Sequence, residues 1–211
     1  MQVAMKDLEI RGAGNLLGGE QSGHIADVGF DLYVRLVGEA VAEYRNDGSE
    51  EESVAEVKIE LPIDSHLPYD YVPSQRLRLE MYQRLAAVRD SDGIAELVEE
   101  LHDRYGDIPQ PVLNLLEVAR FRSHARRAGL TDVTLQGNLI RFGPVELADS
   151  KQLRLNRLYP KSLVKPQLRT ILVPRPATRP VAGQPLRDQE LLQWCTRLID
   201  DVIAEPVGAS A

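Results

Sequence analysis

One cysteine, Cys195, stands in 211 residues. That excludes a disulfide framework and a cysteine-built zinc site. No run approaches 18 consecutive apolar residues, so no segment reads as a membrane span. The start, Met1-Gln2-Val3-Ala4-Met5-Lys6-Asp7, has no apolar core of the secretory kind, so no signal peptide is expected and a reducing, cytoplasmic setting is the default. No Gly-x-x-x-x-Gly-Lys-Ser/Thr occurs, so the chain holds no P-loop. The four histidines, His24, His66, His102 and His124, include no pair at metal-ligand spacing. A formal net charge of −7 counts against a generic coat for nucleic acid.

That charge is unevenly spread. Residues 1–106 carry 10 basic and 22 acidic side chains, and residues 107–187 carry 14 basic and 5 acidic ones. The last 24 residues set Arg197 against Asp188, Glu190, Asp200, Asp201 and Glu205. Nine basic residues and no acid lie between Lys151 and Arg187. Solvation, or packing of an acidic half beside a basic one, accounts for this without any partner. A polyanion or an acidic protein surface is the functional alternative. The basic stretch has Tyr159 as its sole aromatic, so a base-stacking platform is poorly supported.

Hydrophobic spacing sketches the architecture. Five glycines between positions 12 and 23 make that segment a loop. Val28 to Tyr44 shows near-helical spacing. Residues 47–53 have no apolar side chain and read as an acidic linker. Val54, Val57, Ile59 and Leu61 alternate with polar residues as in a strand. Pro62 to Pro73 is a proline-bounded loop. Ser74 caps a helix to about Val88, a second runs from about Ser91 to Gly106, and a third from Pro111 to Gly129. Residues 131–147 read as a hairpin turning at Gly137-Asn138. A short helix over 149–158, a strand over 168–173 and a helix over about 187–204 follow. Helices and strands cluster rather than alternate, which favours an α+β fold with a small, mostly antiparallel sheet. The predicted divisions are 1–46, a linker over 47–53, a domain over 54–205 and a tail over 206–211.

Several constellations invite a chemical reading and support it weakly. Gly12-Ala13-Gly14-Asn15-Leu16-Leu17-Gly18 is one residue too long for a dinucleotide fingerprint and follows no clear strand. Asp64, His66 and Asp70 have ion-binding chemistry, but their prolines and tyrosines favour a structural loop. Ser22, His24 and Asp27 are triad-type residues whose nearness in sequence says little about geometry. His102 sits among Glu99, Glu100 and Asp103 and is expected in water.

Two longer blocks carry more information. Residues 4–23, Ala-Met-Lys-Asp-Leu-Glu-Ile-Arg-Gly-Ala-Gly-Asn-Leu-Leu-Gly-Gly-Glu-Gln-Ser-Gly, resemble the TRG motif of bacterial transcription-repair coupling factors. The likeness continues through Gly29-Phe30-Asp31-Leu32-Tyr33. It resumes at Ile59-Glu60-Leu61-Pro62, Leu67-Pro68-Tyr69-Asp70-Tyr71-Val72-Pro73, Arg76-Leu77-Arg78-Leu79 and Leu101-His102-Asp103-Arg104-Tyr105-Gly106, which look like that family's C-terminal domain.

The resemblance implies an ATP-driven translocase on double-stranded DNA that displaces stalled RNA polymerase and recruits the excision-repair protein UvrA. ATP and Mg belong to motor lobes that would precede Met1, and no cofactor is expected here. The motif's arginine and glutamine match Arg11 and Gln21, set on Gly12, Gly14 and Gly18, and would couple hydrolysis to movement. A further arginine of the motif has no counterpart. The C-terminal domain would clamp over the UvrA-binding surface of the factor's N-terminal module. The stretch is therefore expected to be a C-terminal piece, not an enzyme by itself, with Arg154, Arg157, Lys161 and Arg169 as an electrostatic interface. A nucleic-acid module using the basic region 107–187 is the alternative. A free-standing enzyme around Asp64, His66 and Asp70 is a third reading.

Overall fold

A computed structural model describes residues 57–88, 91–179 and 182–204. The glycine-rich segment, the acidic linker and the tail lie outside the described residues, as do Arg11, Gln21, Gly12, Gly14 and Gly18.

Three helices come first after a short strand, β1 (Lys58–Glu60). Helix α1 (Gln75–Ala87) starts where Ser74 Oγ accepts from the Leu77 N–H at 3.4 Å, filling an otherwise orphaned helix donor. Helix α2 (Ser91–Tyr105) ends on Gly106 at φ +79°, whose N–H reaches the His102 carbonyl. Helix α3 (Gln110–Arg127) ends on Gly129 at φ +78°. There the Gly129 and Leu130 N–H groups return to the Arg126 and Ala125 carbonyls, a Schellman closure sealed by buried Leu130. Ending so tightly, α3 delivers the chain directly into β2.

Strands β2 (Asp132–Gln136) and β3 (Leu139–Gly143) form the expected hairpin, with Gly137 at φ +62° in its two-residue turn. After α4 (Asp149–Leu158) come β4 (Leu163–Lys165), a 3₁₀ turn (Pro166–Leu168), β5 (Thr170–Pro174) and α5 (Asp188–Leu198). The sheet order is β1-β2-β3-β5-β4. Only β1–β2 is parallel; the other three pairings are antiparallel. The fold is α+β with a small, mostly antiparallel sheet.

Register sorts the two faces of the sheet. Ile59, Val133, Phe142 and Ile171 stand in one row across it, and all four are buried in the core. Thr134, Arg141, Leu172 and Leu163 form the neighbouring row, on the opposite face by the two-residue period of a strand. Leu172 is absent from the core cluster that takes Ile171 and Val173. Helices α3 and α5 contribute Leu115, Leu116, Phe121, Leu191, Cys195 and Leu198 to that core.

Three expectations need correction. The last helix is not regular to 204: it passes into a π turn over Ile199–Ile203, in which Ile199 and Val202 are buried. The strand expected from Leu168 begins at Thr170, because Pro166–Leu168 form the 3₁₀ turn and Leu168 is 65% exposed. Strand β4 was not expected at all. Its three residues precede a proline, too short a run for alternation to register.

Candidate functional site

The Pro62–Pro73 loop, which holds the acid and histidine side chains singled out above, is a strap. The Asp64 carboxylate faces His66 Nδ1 at 2.9 Å. The Asp64 N–H donates to the Asp188 carboxylate at 2.7 Å, and the Asp64 carbonyl accepts from buried Asn114 at 2.7 Å. Asp70 is exposed. Among the described residues no three His, Cys, Asp or Glu side chains gather as a metal site would need. Downstream, the Leu67 N–H donates to the buried Tyr82 hydroxyl at 2.8 Å, and the Tyr71 hydroxyl donates to the Leu101 carbonyl at 3.1 Å. Arg78 reaches the Val72 and Pro73 carbonyls. Burial raises the pKa of both Tyr71 and Tyr82, so both phenols stay protonated, Tyr71 donating and Tyr82 accepting in these bonds. The family-like tyrosines and arginine thus tie the loop to α1 and α2.

Helix α4 is fixed to the C-terminal turn by its polar side chains. Lys151 Nζ donates to the carbonyls of Ile203 (3.0 Å) and Ala204 (3.2 Å), where a cation suits the unsatisfied end of a helical segment. The Tyr159 hydroxyl meets the Asp201 carboxylate at 3.0 Å, and its ring packs edge-on against Trp194. Burial, and then the Asp201 carboxylate, push the Tyr159 pKa up to about 12. Leu155 is fully buried beneath the helix.

This attachment divides the four cations expected to form an interface. Arg154 leans on Asp201 at 3.3 Å, and Arg169 pairs with Glu146 at 2.6 Å. Arg157 and Lys161 are exposed and have no ion pair among the described residues. Elsewhere in 107–187, Arg120 pairs with Glu117 and Arg141 with Asp132, while Arg122 is buried. Much of the positive excess is spent inside the domain rather than drawn into one stripe.

The uncovered apolar side chains concentrate in the same stretch of chain as those cations. Of the seven large hydrophobic residues exposed among the described ones, four lie between 150 and 169: Leu153 (72%), Leu158, Leu163 (50%) and Leu168. Leu153 shares a shallow surface hollow with Ser150, Arg154 and Arg157. Leu163 sits on the sheet face away from the core, paired across to Leu172 on an edge strand. An exposed Leu153 beside the unpaired Arg157 gives a surface suited to docking rather than to chemistry.

Comparison with known proteins bears on the domain as a whole. A family model described as the TRCF domain matches residues 61–154. The chain is 48% identical over 216 aligned positions to the transcription-repair-coupling factors of Mycobacterium bovis and Mycobacterium tuberculosis, an alignment covering 98% of this chain. The chain belongs to the transcription-repair coupling factor family. It spans 18% of the length of those mycobacterial relatives. The Staphylococcus aureus factor is 40% identical over 139 positions, covering 66% of this chain and 12% of that protein. The fold resembles a crystal structure of the C-terminal domain of a transcription-repair coupling factor, with TM-score 0.56 and 20% identity, covering 70% of this chain and 92% of that one.

The TRCF match runs from the strap through α1, α2, α3 and the hairpin into α4. It therefore takes in the tied residues Asn114, Tyr71, Tyr82 and Arg78. Sequence reasoning missed Asn114, Tyr159 and Asp201, which position the strap and α4. The one signal available was a polar residue, Asn114, in the apolar stretch Val112-Leu113-Asn114-Leu115-Leu116, since a polar group there must find a partner. No described helix is long and apolar enough to cross a membrane.

Proposed function

We propose that this TRCF domain is a regulatory docking element of its parent factor. It closes over the N-terminal module that recruits UvrA, and releases it when the factor engages stalled RNA polymerase. The observation that carries this reading is the run of exposed leucines over 150–169, in which Leu153 shares a surface hollow with the unpaired Arg157. The whole factor would move on double-stranded DNA by ATP hydrolysis, with Arg11 and Gln21 coupling the motor lobes to that movement. The chain has no phosphate-binding Gly-x-x-x-x-Gly-Lys-Ser/Thr, so its residues do not fit ATP and Mg and no catalytic step is assigned to it.

A competition experiment tests the proposal. The 211-residue chain should bind the factor's isolated N-terminal module and displace UvrA from it. Rising salt should weaken the binding, since unpaired cations contribute to it. Leu153→Ser with Leu163→Ser should abolish it. No displacement at high chain concentration would overturn the docking role. Tight, steeply salt-dependent binding to duplex DNA without any competition would favour the nucleic-acid reading instead.

A further inference from the structure

A second surface, remote from the 150–169 face in sequence and independent of its docking role, runs between α3 and α5. It is a groove of about 710 Å³. Ile94, Phe121 and Leu192 form its apolar part, and Arg120, Arg127 and Arg197 are its cations. Arg120 is engaged by Glu117, and His124 on the same wall by Asp200 at 2.9 Å. Arg127 and Arg197 are exposed and make no ion pair among the described residues. Among the described residues they are the two groove arginines without an ion-pair partner.

The chain supplies a complement close by. Residues 47–56 contain Asp47, Glu50, Glu51, Glu52 and Glu56 with no basic side chain. That stretch ends at the entry to β1, where the Lys58 N–H donates to the Thr131 carbonyl at 2.9 Å. Thr131 lies four residues beyond Arg127, and β1 runs parallel to β2. The acidic stretch therefore joins the domain at the end of α3 that carries Arg127. Seven extended residues, from Val57 back to Glu50, span roughly 23 Å. One and a half to two turns of α3, from Arg127 back to Arg120, rise only about 10 Å. Reach is not limiting, and the short tether keeps the local concentration of carboxylates at the groove high.

We propose that the acidic stretch 47–56 of this same chain docks in the α3–α5 groove, with its glutamates on Arg127 and Arg197 and Val54 toward the apolar side. The contact sets the direction in which the upstream part of the protein leaves the domain. Because the cations are exposed, it is a salt-sensitive latch rather than a permanent weld.

Disulfide trapping in the full chain tests this. Glu51→Cys is combined with Arg197→Cys, and a control pairs Glu51→Cys with Leu153→Cys on the other surface. Cys195 is buried, and burial raises its pKa, so it competes poorly for oxidation. Under mild oxidation at low salt the groove pair should close within monomers at least tenfold faster than the control, and 1 M salt should remove most of that advantage. Reversing Glu50 and Glu52 to Lys should slow trapping, and adding Arg127→Glu should restore it, a rescue that a mere loss of folding cannot produce. Equal rates for the two pairs would overturn the proposal. So would closure solely between two chains, which would make a second copy the occupant.

Discussion

The strap over 62–73 and the segment over 150–169 treat their side chains in opposite ways. In the strap, groups that look chemical are consumed by structure: Asp64 binds His66, Asn114 and Asp188, Tyr71 binds the Leu101 carbonyl, and Tyr82 holds the Leu67 N–H. In the later segment the distinctive residues are ordinary leucines and basic side chains, and the fold leaves many of them in water. A buried polar group must be paired inside the molecule or it costs free energy. An exposed leucine is under no such constraint, and several in one short stretch are what a partner covers. The strap is thus read by where its hydrogen bonds end, and the segment by what remains uncovered.

The largest expected effect tests whether the segment is anchored to the core at all. Leu155 is fully buried under α4. Leu155→Ala should cost about 3 kcal/mol, the usual scale for deleting a buried leucine with partial collapse of the cavity. Urea denaturation monitored by far-UV circular dichroism measures it. A cost below about 1 kcal/mol would mean that the polar attachments at Lys151 and Tyr159 hold α4 instead, and the contrast with the strap would blur.

Tyr82→Phe comes next and probes the strap. It keeps the ring and removes the hydroxyl that accepts from the Leu67 N–H. A buried donor left without a partner costs about 1–3 kcal/mol. Slower-exchanging amides in α1 and α2 should be unaffected, while the Leu67 amide loses protection from hydrogen exchange. If the amide stays protected, water or another acceptor replaces the phenol and the strap is less dependent on it.

Tyr159 gives a smaller effect with a definite sign. Burial and Asp201 raise its pKa to about 12 from the ordinary 10. A raised folded-state pKa favours the protonated phenol in the native protein, so this contribution is complete below pH 10 and is lost as pH rises from 10 toward 12. Difference absorbance of the phenolate should show one tyrosine titrating late, and Asp201→Asn should bring it back toward 10. An unchanged titration in that variant would leave burial as the sole cause.

How much of this was legible depends on the range of the interaction. Ser74, Gly106 and Gly129 act within one turn of their own helices, so α1, α2 and α3 could be bounded from spacing and cap chemistry. The hairpin was legible because Gly137-Asn138 satisfies a local turn requirement. The parallel pairing of β1 with β2 was not, since it joins Lys58 to Asp132 across three intervening helices. The division of the cations was also hidden. Arg154 meets Asp201 and Lys151 meets Ile203 across about 50 residues, so which of Arg154, Arg157, Lys161 and Arg169 remain available is decided by tertiary contacts. Asp64 and His66 show the converse: their close spacing forms a structural tie, as the prolines and tyrosines around them favoured.

The smallest expected stability change decides the comparison. Leu163 is half-exposed on an edge strand, on the face away from the core. Leu163→Ser should therefore shift stability by no more than about 0.5 kcal/mol, as surface substitutions away from caps and buried contacts usually do. The same variant should weaken binding to the N-terminal module at least tenfold, because removing an apolar anchor from a docking face is felt only when the partner is present. Asn114→Ala makes the matching probe of the strap: it should lower stability and leave the binding of the folded fraction unchanged. Denaturation and titration calorimetry on both variants give the four values needed. If Leu163→Ser instead destabilised the fold and spared binding, the 150–169 face would be structural like the strap, and the docking surface would have to be sought on another part of the domain.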